Sequence, residues 1–408
     1  MTAREYPVFT VTPKAERSLR AGHPWVYGEE VTAVEGAYQN GDMVDVVSNK
    51  GRYLGTGWVN DHSKIRVRII SRNANDTFDE AFFRRRVCYA LNYRKTVMGP
   101  VDYRCCRLIF GEADQFPGLT VDRFENILVT QVLSLGMERR KDWVYRALVE
   151  LLREDGEQID AIYERNDVTI RTLEGLEQGK GFYQMEGLRT DLSGHVTITE
   201  NGIKYDVDYI EGQKTGFFLD QKYNRQAAAK LARGRRVLDC FTHTGAFALN
   251  AAAAGAEHVT AVEVSAFALE LAAENGKRNG LTNLDYKCAD VFDLLTEMAK
   301  EKKCDYDYII LDPPAFTKSR ATAKNAYHGY KEINMKAMRL LPRGGYLATC
   351  SCSHFMTDEM FRKMLQEAAL DAGVTLRQIE ARQQAPDHPI LPEVPETDYL
   401  KFYLLQVV

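Results

Sequence analysis

The sequence predicts an α/β protein. Its second half reads as a largely parallel sheet with helices on both faces, preceded by a small β-rich module and a central α+β module. Three observations lead there. From Ala227 onward, short apolar runs alternate with Ala- and Leu-rich stretches, the pattern of successive strand–helix units. The run Leu238-Asp239-Cys240-Phe241 passes through a small-residue loop into Ala246 to Ala254, a strand that opens into a helix. At 408 residues the chain exceeds one ordinary domain, so additional modules are expected.

Composition narrows the class. Hydrophobic residues make up 45% and charged residues 27%, ordinary values for a globular chain. No apolar run approaches the ~18 residues of a membrane span, and Met1 to Thr12 carries no secretory pattern. A cytoplasmic protein with no membrane partner is expected. The eight cysteines include no Cys-x-x-Cys pair, and the histidines complete no zinc spacing, so no metal is expected and the thiols should be reduced. The net charge of −4 does not advertise nucleic acid, but residues 1–72 carry ten Lys/Arg against eight Asp/Glu.

Residues 1–72 form the β-rich module. Val44–Val47 and Lys64–Ile70 are strand-like, separated by glycine-rich breaks. Lys64, Arg66 and Arg68 alternate along one strand and share a face, which is either a phosphate-facing stripe or a solvated face. Lys14, Arg17 and Arg20 precede Trp25 and Tyr27. Cations beside aromatics suit single-stranded RNA. The cations are assigned to RNA contact, and the two aromatics to the core of a small barrel.

Residues 73–190 form the central module. Asp79 to Met98 reads as a helix with Phe82, Phe83, Val87, Ala90 and Leu91 at core spacing. Arg84, Arg85 and Arg86 fan around it. Strands at Cys106–Phe110, Leu119–Phe124 and Ile127–Leu133, a helix over Met137–Glu154, and strands at Ala161–Glu164 and Val168–Arg171 follow, a strand–strand–helix–strand–strand arrangement with one further strand ahead of it. Residues 173–193 read as a linker. Residues 191–408 form the third module. Its strands fall at Val196–Thr199, Tyr205–Tyr209, Arg236–Cys240, His258–Glu263, Leu284–Cys288, Tyr306–Leu311 and Gly345–Thr349. Its helices fall at Ala246–Ala254, Ala266–Asn279, Phe292–Lys302 and His328–Leu341.

Acids stand at the ends of successive strands of this third module. Phe241, Thr242, His243, Thr244, Gly245, Ala246 and Phe247 make a loop with one glycine, which is not the dinucleotide fingerprint. It reads as a site for S-adenosylmethionine. Glu263, followed by Val264 and Ser265, lies 24 residues after Asp239, where a carboxylate can accept from both ribose hydroxyls. Asp290 could accept from an adenine amine while Val291 and Phe292 flank the ring; it is equally a helix N-cap. Asp312-Pro313-Pro314 leaves its strand rigidly. Cys352 sits at the end of the next strand, further out than Cys350 on the same side, and is the nucleophile candidate.

Asp312-Pro313-Pro314-Ala315-Phe316, Thr349-Cys350-Ser351-Cys352-Ser353 and Lys214 through Arg225 resemble the large-subunit ribosomal RNA methyltransferase I family. His23 through Tyr27 matches its N-terminal PUA domain, and Gly118 through Arg123 its central domain. The resemblance spans nearly the whole chain. It implies a Rossmann-like class I methyltransferase domain behind a PUA-like barrel, with S-adenosylmethionine as cofactor, 23S rRNA as partner, 5-methylcytosine as product, and a homodimer. It implies that Gln221 and Arg225 help hold the methionine end of the cofactor. Glu263 would hold the ribose and Asp290 the adenine, and Cys352 would be the nucleophile. Asp312 would stabilise the pyrimidine edge. Departures are His243 where many relatives carry Tyr, Ala246 where a second glycine is common, and Ala315 where a second cysteine assists product release. The base that removes the C5 proton is unassigned between Cys350 and a water.

Two other readings stand beside this one. The enzyme could methylate an exocyclic amine or a small molecule, with Cys352 structural. Alternatively the chain could be a non-catalytic RNA-binding or ribosome-assembly protein. The presence of Glu263, Asp290, Asp312 and Cys352 together argues against the last.

Overall fold

The computed structural model describes residues 5–301, 304–317 and 319–408. Contacts divide the chain into two compact units. The first comprises Met1–Ile198, Val207–Leu219 and Pro386–Thr397, and the second Thr199–Asp206, Asp220–Ala385 and Asp398–Val408.

In the first unit, six strands between Val8 and Ser71 form one sheet. Thr12 caps the helix Pro13–Arg20, and Ala15 and Leu19 turn inward. They join Phe9, Val11, Val44, Val46 and Val67 in the core, which leaves Lys14, Arg17 and Arg20 exposed. The aromatics differ from expectation. In the strand Trp25–Tyr27 it is Val26 that enters the core. Side chains alternate along a strand, so Trp25 and Tyr27 take the other face and are half-buried. Trp25 Nε1 donates to Glu112 at 3.0 Å.

Five strands form the second sheet of this unit. The helix Glu80–Val97, capped by Asp79, buries the five apolar positions expected from its spacing. Its three consecutive arginines do fan apart: Arg84 reaches Glu150 and Glu154, Arg85 faces Asp76, and Arg86 donates to the carbonyl of Ile70. The expected strand at Val168–Arg171 is instead part of the 3-10 helix Thr169–Glu174. Arg171 is buried there and donates to the carbonyl of Glu177 at 2.7 Å, which winds the chain inward. The last strand is Lys180–Phe182, paired with Ala161–Arg165, inside the stretch read as a linker. The expected helix over Met137–Glu154 breaks into Leu135–Glu138 and Lys141–Glu154.

A buried ion pair ties this unit together. Arg107 donates twice to Asp122, at 2.7 and 2.8 Å, and Thr215 Oγ1 donates to the same carboxylate at 2.6 Å. Asp387 Oδ2 accepts from the Arg107 amide at 2.9 Å. Burial works against the Asp122 carboxylate, but the charge and hydrogen bonds of Arg107 hold it below the usual range. Because the folded state depresses this pKa, the pair stabilises the fold above the unfolded value near 3.9 and the contribution fades as pH falls through the folded one. Asp122→Asn leaves the Arg107 charge buried and should cost about 3–5 kcal/mol, measurable by denaturant unfolding at pH 7.

The second unit is built on a seven-stranded sheet. Its strands are β1 Arg236–Cys240, β2 His258–Glu263, β3 Leu284–Cys288, β4 Tyr308–Leu311, β5 Tyr346–Ser351, β6 Leu376–Arg382 and β7 Lys401–Val407, in the order β3-β2-β1-β4-β5-β7-β6. Strands β1 to β5 are parallel, and β7 lies antiparallel between β5 and β6. The helices are α1 Lys222–Ala229, α2 Ala246–Ala253, α3 Ala266–Arg278, α4 Val291–Glu301, α5 Ala323–Leu340 and α6 Asp358–Ala372. One face of the sheet packs on α4, α5 and α6 through Leu295, Tyr330, Ile333 and Phe361. The other packs on α1 and α2 through Ala228, Phe247, Ala248 and Ala251. The order reverses between β1 and β4, so their carboxyl ends open a crevice where such sheets bind ligands.

The expected bounds of β1, β2 and β3 match the observed ones. Helix α5 begins at Ala323, five residues ahead of expectation, and the expected end of α4 at Lys302 lies outside the described residues. Helix α1 falls in a stretch read only as a motif.

Candidate active site

The loop after β1 carries three left-handed residues in five: Phe241 (φ 63°), His243 (φ 53°) and Gly245 (φ 85°). Two of them have side chains, an arrangement that costs energy and concentrates at functional sites. Asp239 fixes the loop from below. Its Oδ2 accepts from Thr242 Oγ1 at 2.5 Å and from the Ala248 amide at 2.9 Å. Burial pushes Asp239 up to about 7, with the charges of Asp312 and Glu263 adding to it. At Gly245 a Cβ would lie 3.0 Å from that of Ala272, so the left-handed turn and the packing of α3 both require glycine.

Glu263 ends β2 beside this loop. Its Oε2 accepts from the His243 amide at 3.0 Å, and its Oε1 from the amides of Val264 and Ser265 at 3.0 and 3.3 Å. Three amides therefore hold the carboxylate at the crevice mouth. Burial lowers the basicity of His243. At the end of β3, Asp290 is exposed and Oδ1 accepts from the amides of Phe292 and Asp293 at 2.7 and 3.3 Å. It caps α4, one of the two roles weighed for it, and its other oxygen remains available for a ligand. Val291 is buried, and Phe292 lies between the rings of Phe241 and Phe316, at 6.5 and 5.8 Å. Phe316 continues to Tyr330 at 4.5 Å, extending an aromatic row along the crevice.

Asp312 follows β4, next to Cys350 on β5 in the parallel register. Gln221 Nε2 donates to its Oδ1 at 3.0 Å, and the Cys350 thiol also bonds it. Asn224 in turn donates to Gln221 Oε1 at 2.7 Å. Gln221, itself buried, therefore orients Asp312. Burial pushes Asp312 up to about 6; Arg225 opposes this and Asp220 adds to it. Pro313 is buried and Pro314 exposed. Arg225 lies buried against Glu200, with a 2.6 Å ion pair, beneath the crevice and over the Phe247 ring at 6.0 Å.

Cys352 lies one residue beyond β5 and is partly exposed, whereas Cys350 is fully buried. Burial raises the Cys350 thiol well above its ordinary range, so it stays protonated. Ser353 Oγ meets the Tyr330 hydroxyl at 2.9 Å, and Lys401 Nζ donates to the Ser353 carbonyl at 2.7 Å. These two contacts fix the turn that presents Cys352.

The strand-end geometry has counterparts in other proteins. Residues 9–72 match a model of the PUA-like domain, and residues 183–405 match a model of the S-adenosylmethionine-dependent methyltransferase. A ribosomal RNA large subunit methyltransferase I from Pseudoalteromonas atlantica is 40% identical over 98% of this chain and 99% of its own length. The chain belongs to the ribosomal RNA large subunit methyltransferase I family. A second family member, from Shewanella denitrificans, is 42% identical over 97% of this chain and 98% of its own. Among solved structures, a Streptococcus mutans protein described as a candidate S-adenosylmethionine-dependent methyltransferase superposes with a TM-score of 0.81 at 22% identity, covering 98% of this chain and 100% of that one. A candidate methyltransferase solved with SAH, SMU.776, gives 0.82 at 22% identity over the same shares. These two show the fold.

As a member of the methyltransferase I family, the protein is an S-adenosylmethionine-dependent methyltransferase with a PUA-like domain at residues 9–72. The crevice residues fit that cofactor: a carboxylate held by three amides at one strand end, a left-handed glycine turn packed tightly on α3, and an aromatic row beside an exposed acid. Sequence reasoning missed Lys401, Tyr330 and Asn224. Lys401 and Tyr330 belong to no motif read from the sequence and reach the site only through the fold; Asn224 lies within the Lys214–Arg225 stretch, but its role of holding Gln221 is visible only in the structure.

In the PUA-like domain the three alternating cations differ in setting. Lys64 is exposed. Arg66 pairs with Asp61 at 2.8 Å and bonds the Tyr38 hydroxyl at 2.9 Å. Arg68 is buried, paired with Glu174 at 2.6 Å and set over the Trp25 ring at 5.9 Å. Arg68 thus bridges two parts of the first unit, and the strand does not present one uniform cationic stripe.

Proposed function

We propose that the protein methylates C5 of a cytosine in 23S ribosomal RNA through a covalent bond between Cys352 and C6. The observation that supports this most is the placement of a partly exposed thiol, Cys352, one strand over from the half-buried carboxyl of Asp312. C5 of cytosine is too weak a nucleophile to take a methyl group unaided. The Cys352 thiolate adds to C6, and the electron pair of the C5–C6 double bond becomes available at C5. Bound S-adenosylmethionine supplies an electrophilic methyl group. Asp312, raised toward neutrality, holds a proton at N3 as negative charge develops on the ring. The C5 proton then leaves to a water, the sulfur–C6 bond breaks, and the thiolate is restored. Cys350 is a poor base for that proton because its thiol is buried and stays protonated.

In this reading Phe241, Thr242, His243, Thr244, Gly245, Ala246 and Phe247 shape the cofactor loop. Glu263, Val264 and Ser265 take the ribose, and Asp290, Val291 and Phe292 the adenine. Gln221, Asp312 and Pro313 border the methionine end, with Arg225 supporting from below. Residues 1–72 bind RNA, with Lys14, Arg17, Arg20 and Lys64 as the exposed cations and Arg66 at their edge. Residues 73–190 grip the substrate, and residues 191–408 are catalytic. The target base leaves its stack to enter the crevice.

Glu263→Ala should weaken S-adenosylmethionine binding by about ten- to a hundredfold in calorimetry, the loss of one or two hydrogen bonds to a charged group. Mass spectrometry of 23S rRNA from a strain lacking the protein tests the reaction itself. One 5-methylcytosine missing relative to the parent is expected. An unchanged 5-methylcytosine content with a different methylated base missing would replace the C5 assignment.

A further inference from the structure

Lys401, the first residue of β7, is 4% exposed. It pairs with Ser351 across the antiparallel β5–β7 ladder, and its Nζ donates to two carbonyls, Ser353 at 2.7 Å and Tyr399 at 2.8 Å. Among the described residues no carboxylate forms an ion pair with it. Burying an ammonium ion without a counter-charge is expensive, and two neutral carbonyls compensate only in part. Cys352 lies on the same turn: its main chain runs between Ser351, opposite Lys401 in the register, and Ser353, whose carbonyl Lys401 bonds.

We propose that Lys401 is the positioning residue that keeps Cys352 as a thiolate and stabilises the thiolate again when it leaves C6. This rests on Cys352 being the nucleophile. The thiol proton passes to solvent, the ammonium proton stays on Lys401, and the pair exists as sulfur anion and buried cation before the base arrives. When sulfur bonds C6 its charge moves into the ring, and when that bond breaks the electron pair returns to sulfur beside the same cation. Both directions of the step are assisted without Lys401 touching the substrate.

The surroundings agree with this role. Burial pushes Lys401 down to about 8, opposed first by the charge of Cys352 and then by those of Asp398 and Asp358. Those two carboxylates are engaged elsewhere: Asp398 accepts from Gln383 at 3.1 Å, and Asp358 bonds the Tyr403 hydroxyl. Tyr330 and Cys350 are the other titratable groups within electrostatic reach of Cys352. Burial raises both of these groups, so they stay neutral around pH 7 and add no charge against the thiolate.

The test is the pH dependence of iodoacetamide alkylation at Cys352, read by peptide mass spectrometry on the full-length protein without RNA. A wild-type midpoint clearly below the ordinary thiol value of about 8.5 is expected. Lys401→Met should raise that midpoint by about 1 to 3 pH units and slow alkylation at pH 7 by about tenfold or more, while Lys401→Arg stays close to wild type. A wild-type midpoint at the ordinary value overturns the proposal whether or not either variant folds. So does an unmoved midpoint in a Lys401→Met protein that still binds S-adenosylmethionine. Because no RNA is present, a depressed midpoint together with retained methylation by Cys352→Ala would sink the covalent mechanism and leave the Lys401–Cys352 pair standing.

Discussion

Cys352→Ala is expected to abolish methyl transfer while leaving S-adenosylmethionine affinity within about threefold of wild type. The asymmetry follows from position. Cys352 lies past the end of β5 and is partly exposed, while the loop after β1 and the carboxylate of Glu263 occupy the other side of the crevice. Under the proposed mechanism the Cys352–C6 bond is the route by which C5 gains electron density, so its removal should take activity to the limit of detection. Alanine differs from cysteine by one sulfur at a half-buried site, and the fold should lose no more than about 1 kcal/mol. Filter-binding methylation assays and calorimetry on the same preparation check both halves. Turnover retained in this variant would favour methylation of an exocyclic amine, with Cys352 structural.

Asp312→Asn is expected to have opposite effects on activity and stability. Burial raises the Asp312 carboxyl to about 6, so in the folded state its ionised form is disfavoured relative to the unfolded chain. The folded protein binds more protons than the unfolded one between the unfolded value near 3.9 and about 6, and stability falls as pH rises through that window. An amide of the same shape keeps an acceptor for Gln221 and carries no charge. The variant should therefore be more stable than wild type above pH 6, by about 1 to 2 kcal/mol after allowing for the residual exposure of the site, and indistinguishable below pH 4. Activity should fall by about a hundred- to ten-thousandfold, because an amide cannot hold the proton at N3. Melting temperatures at pH 4 and pH 8, with single-turnover rates at pH 7, separate the two effects. A variant less stable than wild type at pH 8 would show that Asp312 is stabilised as a carboxylate, contrary to the burial argument.

Much of the second unit was legible because its strands are short, buried and β-branched. Val237-Leu238, Val259-Thr260-Ala261-Val262 and Ile309-Ile310-Leu311 announce parallel strands, and acids at their ends mark the crevice. Ser265 and Thr357 cap their helices as side-chain chemistry predicts. The chain beyond Thr349 was not legible in the same way. Strand β7 runs antiparallel between β5 and β6, an order that depends on packing and not on local pattern. Lys401 consequently arrives beside Cys352 from about fifty residues away, with no spacing to signal it.

The first unit shows the same boundary. Phe82, Phe83, Val87, Ala90 and Leu91 declared their helix face by period alone. Trp25 and Tyr27 read as core because they are large and apolar, yet the strand's alternation gives the core to Val26. Arg68 read as a stripe residue because its alternation with Lys64 and Arg66 was visible and its partner, Glu174, was 106 residues away. In the candidate site, the left-handed backbone at Phe241 has no sequence signature, since a bulky aromatic residue rarely adopts that region, whereas His243 is of a type that enters it more often.

The covalent adduct itself is the central claim, and trapping it is the most direct test. Transcribed 23S rRNA containing 5-fluorocytidine, incubated with the protein and S-adenosylmethionine, cannot lose fluorine as a proton is lost, so the sulfur–C6 bond should persist. A denaturation-resistant protein–RNA complex is predicted, with the modified peptide spanning Cys352 and no complex in Cys352→Ala. Absence of any such complex under conditions that support methylation of unmodified RNA, or a cross-link at another residue, would contradict the account.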